Sequence, residues 1–290
     1  MRRLLIITAF GAIATLAGGL WVTRPLTVEA DTVSAIEGNA AAGEMVFALG
    51  SCASCHTSPD GDKAVLAGGR EFTTDFGTFV APNISPDMLN GIGNWSQVDF
   101  FNALRQGTSP DGKHYFPAFP YASYARMTDT DVANLWAYIA TLPSSDQPSQ
   151  SHRLTFPFNM RAGVGVWKAL YFRTAFVQPA RDTERGRYLA EAIGHCAECH
   201  TPRTALGGLQ NNRWMAGAPD PSGKGKTPGL SPAQLKWSAD DIAYYLETGL
   251  TPDFDSAGGG MAAVIEGTSK LPPEDRAAIA AYIKALPATE

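Results

Sequence analysis

The sequence predicts an all-α protein of two tandem homologous domains behind an apolar N-terminal helix. Three observations predict it: a charge-free apolar run near the start, a short cysteine–histidine pattern that occurs twice, and helical segments that recur at a nearly constant offset. The 290 residues suffice for about two domains of ordinary size. A hydrophobic share of 44% against 18% charged residues supplies apolar area for two cores. The formal charge of −5 excludes the basic field that nucleic acid requires, and no glycine loop of phosphate-cradling type is present.

The first element is the run from Leu4 to Val22, uncharged and preceded by Met1-Arg2-Arg3. Its length is about that of a bilayer-crossing helix, ~20 residues, and longer than the apolar centre of an ordinary secretory signal. Val28-Glu29-Ala30 offers a small-residue cleavage site beyond it. Residues 1–30 therefore read as a signal-anchor or as a cleaved signal peptide. Either one exports the rest of the chain and leaves Arg2 and Arg3 on the cytoplasmic side.

All four cysteines belong to Cys52-Ala53-Ser54-Cys55-His56 and Cys196-Ala197-Glu198-Cys199-His200. Two thiols on one helical turn can each add to a vinyl group of one porphyrin. The histidine that follows is then held under the iron as its proximal ligand. Each motif thus predicts a covalently bound haem c, with iron on His56 and His200. A redox dithiol or half a zinc site would explain one Cys-x-x-Cys, and structural disulfides would explain an even cysteine count. Neither requires histidine at the same offset twice.

The motifs lie 144 positions apart, Cys52 to Cys196, and Tyr138 and Tyr282 of the last helices keep that spacing. Trp95 and Trp237, Gly107 and Gly249, and Pro110 and Pro252 are 142 apart, so each copy is a complete domain with small compensating length changes. Within a copy the order is a helix leading into the motif (Ala40 to Leu49; Thr183 to Ile193), then a glycine- and proline-rich stretch (Ala67 to Pro86; Gly207 to Pro232) able to follow a porphyrin edge. A middle helix capped by serine comes next (Ser96 to Arg105; Ser238 to Thr248), and a last helix runs from Thr128 or Pro272 and stops before Pro143 or Pro287. Strand content should be low. The domains run over 35–143 and 183–290. The connection, 144–182, opens as a polar linker and becomes an apolar, aromatic helix over Met160 to Phe172, which either packs between the domains or forms a docking surface.

The haem motifs, the Trp-bearing middle helices and the endings Tyr-x-x-x-Leu-Pro resemble class I cytochrome c domains. More closely, the chain is similar to the cytochrome c subunits of membrane-bound alcohol and gluconate dehydrogenases. Pro82-Asn83-Ile84-Ser85-Pro86, Gly91 to Ser96, Ser109 to Tyr121, His200-Thr201-Pro202-Arg203 and Asp240 to Leu246 carry that resemblance. Those subunits have three haem motifs where this chain has two.

A carrier haem is commonly closed by a methionine on the loop before the last helix. Met261 stands there in the second domain. In the first, the resemblance places methionine within Phe116 to Tyr121, and this chain has Phe119. Met127, just before the last helix, is then the candidate, with Met88 a weaker one and an open iron the remaining reading. His114, His152 and His195 are ordinary histidines on this view, and Arg70 and Arg203 are candidates for haem propionates. The expected function is electron transfer from a periplasmic or membrane-bound dehydrogenase to quinone, another cytochrome or a terminal oxidase, with no catalytic residue in this chain. The site is the periplasmic side of a bacterial cytoplasmic membrane. The rival is a dihaem enzyme, peroxidase-like or thiosulfate-oxidising, with one open iron.

Overall fold

The computed structural model describes residues 18–19, 21–179, 182–220 and 225–288. Most of the apolar run Leu4 to Val22 lies outside these residues. Among those described, no helix is long and apolar enough to cross a membrane.

Ahead of the first domain stands α1 (Ala30–Val33), and the domain itself opens with α2 (Ala40–Leu49) and α3 (Cys52–His56). Asn39 caps α2 by accepting from the Ala42 amide at 3.1 Å. The hairpin β1 (Glu71–Thr74) and β2 (Gly77–Val80) follows, then α4 (Gln97–Phe101), which widens into a π-helical segment over Asn102–Gln106. The short α5 (Tyr121–Tyr124) and the long α6 (Asp129–Ile139) complete the domain. The connection supplies β3 (Arg153–Leu154) and α7 (Ala162–Tyr171). The second domain repeats the plan as α8 (Glu184–Tyr188) with a π-helical segment Leu189–Ile193, α9 (Ala197–His200), a pair β4 (Ala218–Pro219) and β5 (Lys226–Thr227), α10 (Ala239–Thr248), α11 (Gly260–Thr268) and α12 (Pro273–Lys284).

Local chemistry sets these boundaries. Ser96 and Ser238 both cap the middle helices and close reciprocal boxes with Asp99 and Asp241. Gly107 and Gly249 end those helices in the left-handed region at φ 59° and 73°.

The first and last helices of each domain cross at a glycine. A Cβ on Gly43 would stand 1.9 Å from the Asn134 carbonyl oxygen, and one on Gly186 would stand 1.9 Å from that of Ala278. Only glycine permits that approach.

Strands are few, yet they are not confined to one domain. β2 pairs antiparallel with β1 and also with β3, joining Thr78 to Arg153. The stretch expected to be irregular, Ala67 to Pro86, thus holds a hairpin whose third strand comes from the connection. Gly77, at φ 113°, makes its turn, and a Cβ there would meet the Arg153 carbonyl oxygen at 2.5 Å.

The two domains share one hydrophobic core, to which Leu49, Phe101, Leu135, Leu189, Ile279 and Tyr282 all belong. Helix α11 of the second domain lies on α2 of the first, where a Cβ on Gly267 would come within 2.1 Å of the Ala48 carbonyl oxygen. Helix α7 packs between the domains. Lys168 donates to the carbonyls of Gln106 (2.6 Å) and Gly107 (2.9 Å) on one side, and Trp167 Nε1 donates to the Leu206 carbonyl (3.1 Å) on the other.

Candidate haem-binding site

In both domains a non-glycine residue in the left-handed region turns the chain from its first helix into the motif: Ser51 at φ 49° and His195 at φ 38°. That conformation costs about 1–2 kcal/mol for an L-residue, and the same twist stands at the same offset in both copies. Each motif then forms a short turn of helix. The Thr57 amide donates to the Ala53 carbonyl and the Thr201 amide to that of Ala197, both at 3.0 Å.

The histidines are oriented alike. His56 Nδ1 lies 2.9 Å from the Pro82 carbonyl oxygen, and His200 Nδ1 lies 2.7 Å from that of Pro228. A carbonyl only accepts, so Nδ1 carries the proton and Nε2 keeps its lone pair for a metal. Burial lowers both histidines' pKa below the ordinary value and outweighs the opposing pull of the carbonyls, which holds the imidazoles neutral. The chain around each histidine is also tied back. Gly68 and Gly217 donate to the His56 and His200 carbonyls at 2.7 and 2.8 Å, from left-handed conformations at φ 75° and 84°.

No disulfide joins any of the four cysteines, so the disulfide reading falls. Burial pushes Cys52 and Cys196 up to about 12 and raises Cys55 and Cys199 as well. Among the described residues, no group of three His, Cys, Asp or Glu side chains converges to hold a metal ion. Two thiols and one free imidazole nitrogen per domain fit a haem attached by two thioethers and ligated through Nε2. The first domain adds Arg70, half-buried, whose Nε is buried without a hydrogen-bond partner, a donor suited to a propionate. Arg203, the other arginine considered, is already engaged, with its guanidinium on the Glu198 carboxylate at 2.6 Å.

The remaining candidates are scattered. Met127 is buried at 2% exposure in the shared core, Met261 lies half-buried at the start of α11, and Met88 is 60% exposed. His114 Nε2 lies 2.8 Å from the Thr23 carbonyl, and His152 Nδ1 accepts from the Val80 amide at 3.1 Å. His195 Nε2 lies 3.2 Å from the Gly50 carbonyl, which joins the approaches to the two motifs.

Several residues escaped the sequence reading. Pro82 and Pro228 position the histidines, and a signal for them was present in the twin runs Pro82-Asn83-Ile84-Ser85-Pro86 and Pro228-Gly229-Leu230-Ser231-Pro232. Tyr124 and Glu198 join the domains, and nothing local marks them. Tyr124 is buried, with its hydroxyl 3.4 Å from the Gly50 carbonyl and its ring 5.6 Å from that of His195.

Comparison with known proteins decides what such a pair of sites belongs to. The family model for cytochrome c matches residues 40–143 and again 183–287. The chain belongs to the cytochrome c family. It carries two covalently bound haem c groups, one in each domain.

A diheme cytochrome c-type protein of Cereibacter sphaeroides is 52% identical over 298 residues and covers all of both chains. The fructose dehydrogenase cytochrome subunit of Gluconobacter japonicus is 36% identical over 97% of this chain, and the gluconate 2-dehydrogenase cytochrome c subunit of Pantoea cypripedii is 34% identical over 86%. This cytochrome spans 59% of the length of each of those two subunits. It is an electron-transfer protein rather than an enzyme.

Bound haem supplies one-electron chemistry at iron. His56 and His200 would each offer the iron a neutral imidazole, oriented by the Pro82 and Pro228 carbonyls. Ser123 of the first domain reaches Glu198, inside the second motif, at 3.1 Å.

Proposed function

We propose that this dihaem cytochrome c accepts electrons from a dehydrogenase on the outer side of a bacterial cytoplasmic membrane and passes them to the respiratory chain through quinone, another cytochrome or a terminal oxidase. The observation that carries the reading is the meeting of both haem motifs at one shared, packed interface, bridged by Ser123–Glu198 and by His195–Gly50. Two haems so placed give one entry and one exit for electrons within a single chain. Relatives named as cytochrome subunits of fructose and gluconate dehydrogenases support a dehydrogenase as the donor. The uncharged run Leu4 to Val22 behind two arginines supports export and attachment at the membrane.

The test is purification of the tagged protein from its native membranes in mild detergent, with companions identified by mass spectrometry. A dehydrogenase subunit in stoichiometric yield is expected. Recovery of the protein alone, from the soluble fraction, would contradict both the partner and the anchor.

A further inference from the structure

The two domains repeat one another down to single hydrogen bonds, so each candidate iron ligand has a counterpart in the other copy. After Gly107 and Gly249 come the antiparallel bridges Thr108–His114 and Leu250–Ser256. The Tyr115 amide then donates to the Gly107 carbonyl at 2.8 Å, and the Ala257 amide to that of Gly249 at 2.7 Å. Every one of these pairs is 142 positions apart. Carried four residues further, the same offset sets Phe119 against Met261.

Before the last helices the offset becomes 144. The Met127 amide donates to the Tyr124 carbonyl at 2.9 Å, and the Leu271 amide to that of Thr268 at 3.1 Å. Met127 and Leu271 each directly precede the helix cap, Thr128 or Pro272, and both are core residues, at 2% and 3% exposure. The two extra residues fall in α11, which has nine residues where α5 has four. Met127 is therefore the twin of an aliphatic packing residue, and the twin of Met261 is Phe119.

We infer that the two irons are closed differently. Met261 supplies the second axial ligand in the second domain. In the first domain no methionine does, and the iron keeps a position open to a small neutral ligand of the carbon monoxide type. The Phe119 phenyl ring has no lone pair to donate, and its edge-on contacts with Tyr115 (5.9 Å), Tyr121 (6.2 Å) and Tyr124 (5.8 Å) make it a packing group. Met88, in the earlier loop, faces solvent. His114 is set apart by register, since it lies on the bridge opposite Thr108 and its twin in the second domain is Ser256.

Carbon monoxide titration of the fully reduced holoprotein tests this through the visible spectrum. One equivalent per chain, changing half the haem absorbance, is expected. Phe119→Met should lower that uptake at least tenfold, and Met127→Leu, which conserves volume, should leave it at one equivalent. No uptake by the native protein, or a rise to two equivalents in Met127→Leu, would overturn the inference. Proton NMR of the reduced native protein gives an independent count that needs no variant. One set of ring-current-shifted methyl and methylene signals from an iron-bound methionine is expected, and two sets or none would overturn it.

Discussion

The Ser123 hydroxyl of the first domain donates to the Glu198 carboxylate, 3.1 Å away, and Glu198 stands between the two cysteines of the second haem motif. Arg203 holds the other oxygen of that carboxylate at 2.6 Å. A single carboxylate therefore fastens the second motif both to its own loop and to the neighbouring domain. Ser123 is 1% exposed, so its hydrogen bond is sheltered from solvent competition. Removing it by Ser123→Ala should cost about 1.5–3 kcal/mol, the range for a bond to a charged acceptor. Denaturant unfolding of the holoprotein measures it, and an unchanged midpoint would show that the bridge does not hold the domains.

The glycine crossings are less forgiving. Gly43→Ala and Gly186→Ala each drive a methyl group to 1.9 Å from a carbonyl oxygen of the last helix of the same domain. Ordinary overpacking costs about 1–3 kcal/mol, and a backbone clash this close should exceed the upper end. Loss of folded holoprotein, or a fall in Tm of more than about 6 °C, is expected for each. Near-native Tm in either variant would mean that the helices separate easily.

Much of this architecture was legible before any coordinates. The Cys-x-x-Cys-His pattern is local and chemically specific, so its spacing alone makes Cys52, Cys55, His56 and their twins candidates. The serine caps were readable for the same reason, since Ser96 and Ser238 act within one helical turn. What stayed hidden depends on contacts between distant residues. The pairing of Thr78 with Arg153 draws a strand from the connection, and no periodicity in a two-residue strand announces it. Tyr124 reads as an ordinary core aromatic until His195 and Gly50 are seen beside it. The register of Met127 and Phe119 against the second copy needed hydrogen bonds to fix it, because the offset between the copies changes from 142 to 144 between them.

Acid should loosen the second middle helix first at its cap. Hydrogen bonds from the Ser238 hydroxyl (2.7 Å) and amide (3.0 Å) hold Asp241 below the usual carboxylate pKa. A carboxylate with a depressed folded pKa stabilises the fold above its unfolded value, near 3.9, and loses that contribution as pH falls through the folded value. Thermal unfolding of Asp241→Asn compared with the native protein should show the native advantage at pH 7 shrinking below about pH 4. A difference that stays constant with pH would remove Asp241 from the account.

Arg70 offers an electrochemical handle on one haem. Its charge is near enough to Cys55 to lower that thiol's pKa against the effect of burial, and its Nε is buried without a protein partner. Taking a positive charge from beside a haem favours the oxidised iron, so Arg70→Gln should lower the potential of the first haem and leave the second nearly unchanged. Potentiometric titration with spectral detection separates the two. Equal shifts in both haems, or none, would contradict the placement of Arg70 at the first site.

The two haems should exchange electrons within one chain, across the interface where Ser123 meets Glu198 and His195 meets Gly50. Rapid photoreduction with less than one electron per molecule tests it most directly. The electron should redistribute between the two haem signals at a rate independent of protein concentration. A redistribution rate proportional to concentration would mean that electrons pass only between molecules, and would contradict the account.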